Sequence, residues 1–241
     1  MIVMKRLFTG LLIVCMLCTL TACASEKDTV HPPEFQKLSA LLPSPMEDFY
    51  KGIGKTEADV TKVQSTIYQL SEEVSFCDLP FALWFQHDPV NDYFMGIYYE
   101  HVLTGSYEEM AADVLTIAQH FTDTLGPSDD HILAPYDPSE PSRFAEMTVA
   151  ELAEKMASND QNNTRDYWCL GVLDADNMKS YMAALQSMDP KYHRPDADAV
   201  PMLMLRMDTG TGRNGMSVML TYYIDYDWHN METQWQAVHG S

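Results

Sequence analysis

Phe81–Gln86 and Tyr93–Leu103 are aromatic, β-branched runs joined only by His87-Asp88-Pro89-Val90-Asn91-Asp92, a link that can reverse the chain but cannot carry it across a sheet. The pair is therefore expected as an antiparallel hairpin. A second hairpin is expected from Pro201–Met207 and Met216–Tyr226, with Asp208 to Gly215 as the loop between them. Tyr167–Leu173 reads as a further strand and Val74–Leu79 as another.

Helices are announced by their caps. Ser106-Tyr107-Glu108-Glu109 is a capping box, and Met110, Val114, Ile117, Phe121 and Leu125 follow on one face until Gly126-Pro127 stops the helix. Thr148 and Glu151 form a second box, with Met147 and Leu152 at hydrophobic-staple positions. Asp174 caps a run through Met178, Tyr181, Met182, Leu185 and Met188, which ends before Pro190. Thr56 precedes Val60, Val63, Ile67 and Leu70, whose spacing predicts a fourth helix. Helices around hairpins, with no crossover units, predict an α+β fold with antiparallel sheet.

The Pro- and Asp-rich stretch 127–145 separates two stretches, 46–126 and 146–241, each with a capped helix and an aromatic hairpin. Their helices and hairpins are offset by different amounts, so duplication stays open, as does packing into one domain. Order is expected to begin near Met46, because residues 23–45 are polar and contain Pro32, Pro33, Pro43 and Pro45, as a tether would.

The N-terminus has its own logic. Lys5 and Arg6 carry the only charges before Glu26, and an apolar run from Leu7 to Leu20 follows. That run is shorter than a membrane span needs and ends in small residues, which is the profile of an export signal. Leu20-Thr21-Ala22-Cys23 resembles the lipobox of bacterial lipoproteins. The resemblance implies cleavage after residue 22, diacylglyceryl modification of Cys23, and attachment to the extracytoplasmic face of a membrane. Two acyl chains suffice for stable anchoring.

Loss of residues 1–22 removes two cations and takes the formal charge from −20 to −22. Such acidity repels phosphate backbones, which argues against a nucleic-acid partner. After cleavage and lipidation Cys77 and Cys169 are the remaining thiols. They can pair or stay as buried free thiols, and the sequence leaves both open.

Gly54-Lys55-Thr56-Glu57-Ala58-Asp59-Val60, leading into strands, resembles the helix-then-hairpin modules of small lipoproteins related to β-lactamase inhibitory protein and of outer-membrane assembly lipoproteins. The resemblance spans about a dozen residues and implies a module that binds other proteins and performs no chemistry. It carries no binding residue across.

Catalytic motifs do not withstand inspection. Gly210-Thr211-Gly212-Arg213-Asn214-Gly215 fits a dinucleotide pattern, but a strand follows where a helix is required. Asp208-Thr209-Gly210 looks like the aspartic-protease triplet, yet no second copy exists in the chain. Asp174-Ala175-Asp176-Asn177 opens like a calcium loop, but Lys179 and Leu185 stand where glycine and glutamate are needed. Cys77 and Cys169 lack basic neighbours, and no nucleophile elbow occurs.

Asp225, Asp227 and His229 alternate, so one strand face would present two carboxylates and an imidazole. That face can take a divalent cation or simply be solvated. His87 with Asp88 and Asp92, and Asp129-Asp130-His131, are loop clusters open to the same two readings. Tyr99, Tyr223 and Trp228 are the candidate binding aromatics, because one member of each adjacent pair must face away from the core. Together these features predict a lipid-anchored binding module for a protein, peptide or glycan, with no cofactor required. The alternative is a metal-assisted hydrolase using Asp225, Asp227 and His229.

Overall fold

Cys77 and Asp78 both adopt positive φ, 52° and 62°, and this two-residue reversal joins two ten-residue strands. In the computed structural model, which describes residues 30–128, 143–158, 165–173, 175–188, 202–212 and 215–225, they link β3 (Ile67–Phe76) to β4 (Leu79–Asp88). The expected strand Val74–Leu79 is thus the end of β3, the turn and the first residue of β4. As expected, β4 then pairs antiparallel with β5 (Tyr93–Val102).

The fold is α+β. Among the described residues, β2 (Val60–Lys62), β3, β4, β5, β8 (Gly215–Asp225), β7 (Met202–Gly212) and β6 (Arg165–Val172) lie side by side in that order in one sheet. Every pairing is antiparallel. The two expected hairpins meet at β5 and β8, from Gly96 opposite Tyr223 to Val102 opposite Ser217, so both sequence halves contribute to one sheet. Past the last β5–β8 pair, the two-residue β1 (Ser44–Pro45) pairs with Phe94 and Tyr93 of β5.

Alternation assigns the faces. Ile97, Tyr99 and His101 of β5 lie opposite Tyr222, Leu220 and Val218 of β8, and all six are buried. Against this face pack α1 (Phe35–Ser39), α2 (Met46–Ile53), α3 (Tyr107–Leu125) and α4 (Val149–Ser158). Phe35 meets Tyr222 at 4.3 Å between ring centroids, Phe49 meets Phe94 at 4.1 Å, and Phe121 meets Trp168 at 5.4 Å. A fifth helix, α5 (Ala175–Met188), adds Met178 and Tyr181 to the same core.

Three expectations are corrected. Thr56 does cap, with Asp59 as its partner, but the box closes one 3₁₀ turn (Glu57–Asp59), and Val60 then enters β2 opposite Leu70. The density of β-branched and aromatic residues from Val60 to Tyr68 favours strand, which overrides the helical spacing. Order also begins before Met46, since Phe35, Leu38 and Leu42 are in the core. Finally, Asp208 to Gly212 are not a loop: the ladder continues to Gly212 opposite Gly215. Extending the strands pairs backbone groups that a long loop would leave to solvent, and it buries Thr209.

Both remaining capping boxes form as expected. Ser106 N and Thr148 N each donate at 2.7 Å to the carboxylates of Glu109 and Glu151, whose own amides donate back to the hydroxyls at 3.3 Å. The backbone amides hold both carboxyls below the usual glutamate range. Groups with depressed folded-state pKa values add stability above their unfolded pKa and lose it as pH falls through the folded one. Acid titration of the unfolding midpoint should therefore fall less in a Glu109→Gln, Glu151→Gln double variant than in the parent.

Candidate functional site

Residues Met46, Phe49, Tyr50 and Ile53 repeat at helical spacing, and Gly54 follows in the left-handed conformation at φ 68°. That signal for α2 is present in the sequence but was not anticipated. Phe49 is fully buried against Phe85 and Phe94, while Met46, Glu47, Tyr50 and Lys51 line a cleft. The turn at Gly54 brings in Lys55, Thr56 and Glu57, and β3, β4 and the β4–β5 loop supply Tyr68, His87 and Asp92. The cleft has a volume of about 490 Å³, within the range of small-ligand sites.

Each wall is held by identifiable contacts. Thr56 donates to Asp59 from its amide at 2.7 Å and from its hydroxyl at 2.8 Å, and these bonds hold the Asp59 carboxyl below its usual range. Lys55 is ion-paired to Glu72 of β3. Tyr68 stacks on Phe85 at 5.4 Å, with the Lys62 ammonium 5.6 Å from its ring centroid. His87 Nε2 donates to Asp92 Oδ1 at 2.8 Å and presents its ring to Tyr68 at 76°. Asp92 makes this contact from positive φ, 60°, a conformation Asp tolerates better than most residues. Its backbone carbonyl accepts from Met46 N at 2.8 Å, which ties the loop to the start of α2.

Tyr50 lines the cleft with these groups. Burial, then Glu57, Tyr68 and Asp92, push its hydroxyl up to about 12. It therefore stays protonated and can donate or accept a hydrogen bond at neutral pH. The loop cluster read from sequence divides in two. His87 and Asp92 join the cleft, whereas Asp88 accepts from Val90 N at 2.9 Å, Asn91 Nδ2 at 2.7 Å and the Tyr181 hydroxyl at 3.4 Å.

The other predicted site residues are dispersed. Tyr99 is fully buried, with its ring edge-on to Tyr222, so it packs the core and does not present a binding surface. Its neighbour Tyr98 takes the opposite face, where one cross-strand row runs Trp84, Tyr98, Thr221, Arg206, Tyr167. Tyr223 shares that face and packs with Met202, Met204 and Cys169. Asp208 accepts from Arg206 Nε at 2.7 Å; burial raises its carboxyl and the arginine partly offsets this. Asp225 lies in β8 opposite Met202. Cys23, Asp129-Asp130-His131, Asp174, Asp227, Trp228 and His229 lie outside the described residues. Among the described residues no group of three or more His, Cys, Asp or Glu side chains could hold a metal ion. Cys77 and Cys169 are not joined to each other by a disulfide, and burial pushes Cys77 up to about 11, away from nucleophilic character.

Among the described residues no helix is long and apolar enough to cross a membrane. No protein-family profile, curated protein or solved structure matches the chain.

Proposed function

We propose that this chain is a binding module held at the extracytoplasmic face of a membrane by lipidated Cys23, and that its ligand occupies the cleft beside α2. The observation that carries the binding role is the cleft itself, where phenol, imidazole, carboxylate and ammonium groups from separate elements converge around about 490 Å³. The lining favours binding over chemistry. The Thr56 hydroxyl is committed to Asp59, and the Tyr50 phenol is held protonated, so neither is an activated nucleophile.

The anchoring half rests on Lys5-Arg6, the apolar run and Leu20-Thr21-Ala22-Cys23. Cys23→Ala is expected to abolish incorporation of labelled fatty acid and to release the protein from the membrane fraction. Retention of the variant after verified signal cleavage contradicts it. The binding half is tested by screening small polar compounds against the full-length protein in detergent for a rise in unfolding temperature. Lys51→Ala with Glu57→Ala changes only side chains at the rim, and it should remove a ligand-induced rise while leaving the ligand-free midpoint within a degree or two. A rise that persists unchanged in that variant places the ligand elsewhere.

A further inference from the structure

The sheet face turned away from α1 to α4 carries a row that the cleft does not use, in which Trp84, Tyr98, Thr221, Arg206 and Tyr167 stand on five adjacent strands. Neighbouring strands lie about 4.8 Å apart, so the row runs roughly 19 Å across the sheet. Two of its side chains have unmet hydrogen-bonding groups. Thr221 is 3% exposed and its hydroxyl has no partner, and the Trp84 indole N–H, with only Tyr98 between them, has none either. Buried polar groups are almost always paired, so two orphans this close mark a place where partners are missing. Arg206 is incomplete in a different way. Its Nε donates to Asp208 at 2.7 Å, while its two terminal nitrogens take no partner among the described residues, and its side chain is 33% exposed. Arg165 lies opposite Asp208 on β6, so two guanidinium groups stand beside one carboxylate, with Glu100 two strands further along that row.

From this row we infer a second site, separate from the cleft, that takes an acidic oligosaccharide. A carboxylate sits on the terminal nitrogens of Arg206, sugar rings lie on Tyr98 and Trp84, and a ring hydroxyl pairs with Thr221. Charge complementarity selects the carboxylate, because the open end of the guanidinium is a planar two-nitrogen fork that matches it. Arg206 and Tyr98 flank Thr221 on the adjoining strands, and an acid that draws the guanidinium outward uncovers the hydroxyl. The Tyr98 ring is a fixed platform, since its own hydroxyl donates to Gln86 Oε1 at 2.8 Å. The length of the row suits a short chain of rings. A neutral sugar would leave the fork empty, and an acidic peptide would fill the fork but bring no ring to lie on Tyr98.

The test uses the full-length protein in detergent, labelled with 5-fluorotryptophan, with the Trp84 resonance assigned by Trp84→Phe. The probes are tetragalacturonate, cellotetraose and tetraglutamate, which are an acidic sugar, a neutral sugar and an acidic peptide. The inference expects a saturable shift of Trp84 with tetragalacturonate alone. Arg206→Lys keeps a cation for Asp208 but not the fork, and it should weaken that binding about tenfold. Thr221→Val keeps the shape and removes a hydroxyl that has no partner, so it should unfold no earlier than the parent yet bind about threefold to tenfold more weakly. The Lys51→Ala, Glu57→Ala variant should bind the acidic sugar as the parent does, which separates this site from the cleft. A response to cellotetraose or tetraglutamate equal to or above that to tetragalacturonate overturns the acidic-sugar assignment, as does silence toward all three. Tetragalacturonate binding that is unchanged in Arg206→Lys or in Thr221→Val, or that is lost in the cleft variant, places the sugar elsewhere and overturns the site.

Discussion

Phe49→Ala is expected to lower the free energy of unfolding by about 3–5 kcal/mol, the usual cost of deleting a fully buried phenylalanine ring. Phe49 has no exposed surface, and its ring stacks on Phe94 at 4.1 Å and meets Phe85 at 4.8 Å. Those contacts hold α2 on the sheet, and the same helix presents Met46, Glu47, Tyr50 and Lys51 to the cleft. The variant should therefore lose cleft binding even under conditions where it remains folded. Urea unfolding measures the first effect and a ligand titration below the transition measures the second. A loss under 1 kcal/mol would mean that α2 is not packed as described.

The second large effect is expected at Phe121, on the helix whose cap the sequence shows most plainly. Its ring is fully buried between Phe76 of β3 at 5.6 Å and Trp168 of β6 at 5.4 Å. Strands from both sequence halves thus lean on one side chain of α3. Phe121→Ala should cost about 3–5 kcal/mol. It should also weaken the seat of Trp168, whose indole N–H donates to the Gly126 carbonyl at 3.0 Å. Denaturant unfolding followed by tryptophan fluorescence reads both. An unchanged midpoint would place the α3 stripe on the surface.

Local chemistry was legible in the sequence wherever the partners lie three or four residues apart. The boxes at Ser106 and Thr148 satisfy orphan amides within one turn, so the sequence alone reveals them. The β4–β5 hairpin was legible for a related reason, since its short connection admits one topology. Thr56 shows the limit of such signals. Its box forms, but a cap specifies only the turn it closes, and the residues after it were free to enter β2.

Faces were harder to read than elements. Alternation dictates that Tyr98 and Tyr99 point to opposite sides, but which side is the core depends on where α1 to α4 pack, a tertiary fact. The cleft is tertiary in the same sense. His87 and Asp92 were visible as neighbours in one loop, whereas Tyr50 and Tyr68 reach them only because α2 docks through Phe49 and β3 pairs with β4, Tyr68 opposite Phe85. The spacing of Met46, Phe49, Tyr50 and Ile53 was the signal that could have found α2. It is only two turns long and begins directly after a segment whose prolines suggested a tether.

The central claim is that the cleft is the ligand site of a membrane-held binding module. It is tested most directly by native mass spectrometry of the protein extracted gently from its own membrane, comparing the parent with the Lys51→Ala, Glu57→Ala variant. The account predicts a bound species on the parent, present in stoichiometric amount and absent from an equally folded variant. The same species on both proteins, or on neither, contradicts it.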